Sequence, residues 1–238
     1  MREKESLSPQ ARDFRFKQLI LCAGFVFGCA SRSFVPRADV QRIVLLDSWL
    51  SSVAIGRSVA TVAELCFMAQ AALLLRDAAG SAGLAVSVLI SRLVVPFIAV
   101  AEVCSWYATL TTNYIGNACE ESIWVLCGAL LFIGALPLWR RSGARLKKFL
   151  AVPFVFAPCY LAFMCLVDVP MYVTRWRADL AQGRVYFTLA DGVHDVMHRW
   201  VVTRSLEDWR TEFPWMTLYF SVAVWVSLAM TRAPREES

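Results

Sequence analysis

Apolar residues run through this chain in stretches long enough to cross a hydrocarbon layer, which takes roughly 20 residues at helical rise. Six such stretches predict membrane-spanning helices near 16–35, 58–75, 82–103, 121–139, 149–169 and 213–231. The expected fold is an all-α integral membrane protein, a bundle of about six transmembrane helices in one multi-pass domain over 1–238, with segment 170–212 as a long outer loop. The first stretch carries the weakest signal, because its uninterrupted apolar core runs only from Leu19 to Ala30 and Arg32 follows closely. Its basic start (Arg12, Arg15, Lys17) and the small Gly28, Cys29 and Ala30 also suit a cleaved signal, which would leave five helices. Phe34 and Val35 extend the run past Arg32 and favour a retained helix.

Between the spans the periodicity changes. Val193, Val196, Met197, Trp200 and Val201 recur at helical spacing, so Leu189–Val202 predicts an amphipathic helix lying on the membrane face or capping the bundle, with Asp191 near its start. Asp39–Gly56, with Leu45, Trp49, Leu50 and Val53, predicts a second interfacial helix running into the second span. The stretch from Trp106 to Glu120 is polar and aromatic and is expected as a short loop, while Pro96, Pro153 and Pro158 predict kinks in the third and fifth spans.

Composition agrees with a bilayer environment. Apolar residues make up 58% and charged residues 18% of the 238, and the mean hydropathy is +0.53, which sets aside a soluble domain and a nucleic-acid reader. The expected partners are membrane lipids and, through the aromatic spans, a protein; no nucleic acid is expected. The net charge of +5 is mostly an orientation signal. Arg2, Lys4, Arg12, Arg15, Lys17, Arg76, Arg140, Arg141, Arg145, Lys147, Lys148, Arg232 and Arg235 fall on one side and ten arginines on the other, six of them in the long loop that counts less. Since the loop from Trp106 to Glu120 has no basic residue and the 140–148 turn is strongly basic, both termini are expected on the cytoplasmic side. Cys104 and Cys119 bracket that loop, where an oxidising exterior would allow them to pair.

The candidate chemistry lies on the outer side. An ionised group at the bilayer centre costs about 3 kcal/mol on insertion scales and calls for a partner or a wet cavity. Glu64, Arg92 and Glu102 fall inside spans and Asp168 at a span end. Arg57, Thr61 and Glu64 share one helical face; Glu102, Ser105, Trp106 and Thr109 share another. Glu64, Glu102, Glu120 and Glu121 are therefore candidate catalytic acids and bases, and Arg57, Trp106, Tyr107, Asn113, Asn117 and Asp168 candidate binding residues. Trp, Tyr, Thr and Asn there could equally form an interfacial belt and helix caps.

The only histidines, His194 and His198, make D-x-x-H-x-x-x-H with Asp191, a spacing that can present two imidazoles and a carboxylate to one divalent metal such as zinc. The pattern lacks the Glu of the zincin motif, and a bare surface helix capped by Asp191 explains it as well. Asp195 could pair with Arg199. No phosphate loop, nucleophile elbow or CxxC is present. Three functions fit: a membrane-embedded enzyme with an outward acidic and aromatic pocket for a lipid or lipid-linked substrate; a structural or assembly protein with Glu64, Arg92 and Glu102 as ion-pair glue; and a small transporter, for which no inverted repeat is visible.

Overall fold

The computed structural model describes residues 8–234, the side chains of Phe220 and Ser221 excepted. Arg2, Lys4 and Arg235, used above for orientation, lie outside the described residues. Four single helices, α1 (Pro9–Phe34), α2 (Val53–Ser81), α3 (Ala85–Thr111) and α4 (Tyr114–Arg141), are long and apolar enough to cross a membrane. A fifth such rod runs from Ala144 to Ala181, as α5 (Ala144–Phe163), a π-helical turn (Met164–Asp168) and α6 (Val169–Ala181). The rod's 38 residues reach about 57 Å, well beyond a hydrocarbon core of about 30 Å. The expected sixth span is helical over Phe213–Met230, in three successive runs: α9 (Phe213–Leu218), a π-helical turn (Tyr219–Ala223) and α10 (Val224–Met230). Two short helices precede it, α7 (Leu189–His198) and α8 (Leu206–Trp209).

The helices begin where side chains can satisfy free N–H groups. Ser8 accepts from Ala11 N–H with Pro9 at the first helical position, Ser52 accepts from Ile55 N–H, and Asn113 accepts from Ile115 N–H. Their outward faces are apolar and uncovered, as on Phe16, Phe27, Leu89, Val100, Val103 and Trp225. Inward faces divide by height. Met68, Leu75, Ile90, Val94, Ile98, Cys127, Leu138 and Leu150 form a dry core in the half of the bundle that ends at the basic α4–α5 turn. Phe25, Cys29 and Ala63 seat α1 on α2. The polar groups gather in the other half.

That other end is covered by a cap. β1 (Arg37–Ala38) pairs antiparallel with β2 (Ile43–Val44), which pairs in parallel with β3 (Val201–Val202), so the loop after α1 and the loop before α8 are knitted into one sheet. Arg42, buried and with φ of 58°, fastens the cap to α3. Its Nη2 donates to the Thr109 carbonyl at 2.6 Å, its Nε to Asp195 at 2.7 Å, and its Nη1 to the Asp39 carbonyl. A guanidinium on a terminal carbonyl also complements the α3 dipole. Gly192 of α7 lies directly on the Leu110 carbonyl, with no room for a Cβ, which lets α7 pack across the end of α3.

Several expectations are corrected here. Segment 39–52 is not an interfacial helix: apart from a 3₁₀ turn at Trp49–Ser51, it is the β hairpin and its connections, because Arg42 takes a left-handed turn and Ser52 starts α2 anew. The polar stretch 106–120 is not a loop. α3 and α4 run through it and meet at a two-residue turn, Thr112–Asn113, with Thr112 held at φ of 61° and Gly116 fitting against the Cys104 carbonyl. The helix expected to end at 169 continues to Ala181, since Pro170 sits in the first turn of α6, where no N–H is needed. α7 stops at His198, so Val201 joins the sheet rather than the apolar stripe, and Thr188 rather than Asp191 is its cap. Cys104 and Cys119 are free thiols. Arg92 is exposed on α3 toward the basic end and makes no ion pair among the described residues, so it is not part of an internal ion pair with Glu64 or Glu102.

Deep in the bundle, Gln70 joins three helices. Its Nε2 donates to the Ser227 carbonyl at 2.9 Å, Ser227 Oγ donates to Gln70 Oε1 at 2.7 Å, and Gln18 Nε2 donates to the Gln70 carbonyl at 3.0 Å, all fully buried. Gln70→Ala strands two of these groups without water, so it should cost about 1–2 kcal/mol, measured as a fall in melting temperature in detergent, while the exposed Val62→Ala on the same helix should have little effect.

Candidate functional site

Under the cap the first turns of α2 hold Arg57, whose guanidinium is the hub of a buried ionic centre. Its Nη2 lies 3.1 Å from Glu64 Oε1 and 3.0 Å from Glu102 Oε2, and its Nη1 lies 3.7 Å from Glu120 Oε1 and 3.9 Å from Asp39 Oδ2. Residues 57 and 64 are two turns apart on α2, which places both on one face; α3 supplies Glu102 and α4 supplies Glu120 from across the bundle. All four side chains are at most 7% exposed.

A shell of donors fixes the carboxylates. Thr61 Oγ1 donates to Glu102 Oε2 at 2.6 Å and accepts from Trp106 Nε1 at 3.1 Å. Asn117 Nδ2 donates to Glu120 Oε2 at 3.2 Å, and Tyr219 donates its hydroxyl proton to Glu64 Oε1 at 2.8 Å. Arg37 stands next to the hub, paired with Asp39 at 3.2 Å. Gly56 makes that possible, because any Cβ at 56 would occupy the Arg37 guanidinium. Beyond it Arg32 pairs with Glu212 at 3.3 Å and lies over the Tyr219 ring.

The carboxylates outnumber the cations. Glu64, Glu102 and Glu120 bring one oxygen each within 4.8 Å of one another, with Arg57 as their common guanidinium while Asp39 is shared with Arg37. Glu102 Oε1 has no hydrogen-bond partner, and neither has Ser105 Oγ, fully buried one turn along α3. Arg37 Nη1, Arg32 Nε and Arg57 Nε are also unpartnered donors. Arg32 and Arg37 line, with Glu64, Tyr219 and the small Gly28 and Ala60, a crevice between α1, α2 and the last helix. It has space for about one water molecule.

Of the candidate residues, the fold unites Arg57, Glu64, Glu102, Glu120, Trp106 and Asn117. Asn113 caps α4 instead, and Tyr107 points outward, 41% exposed. Glu121 sits on a different face of α4, within electrostatic reach of Asp168, Tyr160 and Tyr172. Asp168 ends the first π-helical turn, buried, with Oδ1 accepting from Trp215 Nε1 at 3.0 Å and Oδ2 unpartnered. Asp191, His194 and His198 all lie on the exposed side of α7 and not in the Arg57 centre. Asp191 accepts from Thr188, the two imidazoles stack 4.5 Å apart, and His198 Nδ1 bonds the His194 carbonyl. Asp195 bridges Arg199 and Arg42.

The centre is thus enclosed rather than an open acidic pocket. Sequence reasoning missed Arg32, Arg37, Asp39 and Tyr219. A tyrosine in mid-span was a usable signal, since its hydroxyl must find a partner; Arg32 at the end of α1 and Arg37 and Asp39 in the following loop had none.

Removing the hub leaves carboxylates buried without their cation, a class of change worth about 3–5 kcal/mol, so Arg57→Ala should unfold the capped half or lower the melting temperature sharply, with Arg57→Lys intermediate. A second expectation concerns Glu212, whose carboxyl burial pushes above the usual range against the opposing pull of Arg32. A carboxyl raised in the fold gives stability that is complete below its unfolded pKa and is lost as pH climbs through the folded value. Wild type should therefore lose more melting temperature than Glu212→Gln between about pH 4 and pH 8. Comparison of the chain with protein-family models, with curated proteins and with solved structures finds no match in any of the three.

Proposed function

We propose that this multi-pass membrane protein is a membrane-embedded enzyme whose buried carboxylate centre performs acid–base chemistry on the headgroup of an anionic lipid or lipid-linked substrate. The observation that supports this reading is the surplus of buried carboxylates at one point, with Glu102 Oε1 left unpartnered. Ion-pair glue needs only matched charges and satisfied oxygens. The unpartnered N–H groups of Arg32 and Arg37 favour an anionic headgroup, since guanidinium donors suit phosphate and carboxylate oxygens. In this reading the Glu102 carboxyl exchanges a proton with the substrate, Arg32 and Arg37 hold the headgroup, and Tyr219 orients Glu64 toward Arg57. The headgroup, in this reading, approaches along the crevice between α1, α2 and the last helix, which is irregular at its π-helical turn. The final helix crosses the bilayer as a sixth span, and the basic end, with Arg140, Arg141, Arg145, Lys147 and Lys148, lies in the cytoplasm together with both termini.

A second reading, a structural or assembly role, is favoured by the closure of the centre beneath the cap. The two separate in one experiment. Purified protein in nanodiscs is incubated with a polar-lipid extract containing phosphorylated isoprenoids, and lipid masses are followed over time. Turnover of an anionic lipid by wild type that is abolished in Glu102→Gln, with an unchanged melting profile, is the expected result. No change in any lipid by well-folded wild type would give the scaffold reading precedence.

A further inference from the structure

We infer that Glu64, Glu102 and Glu120 bind one hard divalent cation of the Mg²⁺, Mn²⁺ or Ca²⁺ class, beside Arg57 and on the side of Ser105. The inference goes beyond the enzymatic reading and does not depend on it, since the ion could hold the helices together whether or not catalysis occurs.

Three observations support it. Donor spacing is the first: one oxygen from each of the three carboxylates lies within 4.8 Å of the others, and oxygens bound to a common ion at about 2.0–2.6 Å stand no farther apart than roughly twice that distance. Second, charge balance is incomplete. Arg57 offsets one of the three carboxylates, and Asp39 has Arg37. Two negative charges remain in a space that is nearly closed to water, and a divalent ion neutralises both. The third is a pair of buried oxygens, Glu102 Oε1 and Ser105 Oγ, that make no well-formed hydrogen bond. Glu102 Oε1 has no partner, because Arg57 and Thr61 both engage Oε2. Ser105 Oγ, 0% exposed, lies beside the Glu120 carboxylate without completing a hydrogen bond. Serine is a neutral oxygen donor that lies on the same face of α3 as Glu102, three residues on.

The all-oxygen donor set selects hard ions over zinc or copper, which prefer imidazole and thiolate. It also separates this site from the histidines of α7, which make no contact with it. The competing way to neutralise the centre is to protonate two of the carboxyl groups, and that gives a different experimental result.

The test uses the full chain in nanodiscs, stripped with EDTA and titrated with Mn²⁺, with free ion read by electron paramagnetic resonance and bound ion by elemental analysis after desalting. Wild type should take up about one Mn²⁺ per chain, displaced by Mg²⁺ or Ca²⁺, and Glu102→Gln or Glu120→Gln should weaken uptake by about tenfold or more. The double variant His194→Ala with His198→Ala should bind as wild type does. A second readout needs no change to the carboxylates: Tb³⁺ in the site should show emission sensitised by Trp106, which bonds Thr61 next to Glu102, and that emission should be largely lost in Trp106→Phe and chased by Mn²⁺. Absence of saturable Mn²⁺ uptake by folded wild type would overturn the inference in favour of protonation. So would uptake that survives in folded Glu102→Gln and Glu120→Gln, or uptake abolished by the histidine variant.

Discussion

A guanidinium in the first turns of α2 is the constraint on which the polar half of this protein depends. Arg57 cannot lose its proton, so in a bundle closed to water it must be surrounded by acceptors, and the fold provides them from three helices and a loop. Each of those acceptors is itself too costly to bury alone. The centre therefore works as a mutual requirement: α2, α3 and α4 must come together in one register before any of the charges is satisfied. Interhelical contact in lipid has no hydrophobic drive, because lipid tails are as apolar as leucine. A many-sided ionic hub at one end, and the Gln18–Gln70–Ser227 clasp deeper in the bundle, supply directional interactions that apolar packing lacks.

The cap is subordinate to the same centre. Asp39 reaches Arg37 and Arg57, Arg42 reaches the carbonyls of Thr109 and Asp39, and Arg32 reaches Glu212, so three arginines of the first connecting segment and its flanks lace the loops to the helix ends. Paired to carboxylates and carbonyls inside a folded cap, these arginines do not act as free surface charges.

Two π-helical turns extend the polar region across the bundle. Val169 N–H reaches Met164 and Val224 N–H reaches Tyr219, each wide turn shifting the register of the residues that follow. The first presents Asp168 to Trp215; the second holds Tyr219 against Glu64. Such turns weaken local hydrogen bonding and persist where a side chain must be aimed. On α4 the neighbouring acids diverge by about 100°, the rotation of one helical residue, so Glu120 faces the Arg57 hub while Glu121 faces the α5–α6 rod.

How much of this was legible in the chain follows from the range of each interaction. Long apolar runs give helices in a bilayer wherever they occur, because a backbone in lipid must bond to itself. The spans, the helical reading of 189–198 and the shared face of Arg57, Thr61 and Glu64 were therefore written locally. So was the cost of burying Glu64 and Glu102, which marked the capped end as the place to look. The continuation of α3 and α4 through 106–120 was not legible, since Trp, Thr and Asn there suit a loop and a helix end equally, and only the contact of Gly116 with the Cys104 carbonyl decides between them. Partner choice was hidden for the same reason. Glu64 and Glu102 pair with Arg57 and not with Arg92, Tyr219 completes a site 155 residues away, and Asp39 and Arg37 enter from a loop with no periodic signal. Sequence by itself determined which segments had to be buried and which charges needed company; tertiary structure alone decided which company they kept, because the pairing of charges depends on distances in space that no spacing along the chain encodes.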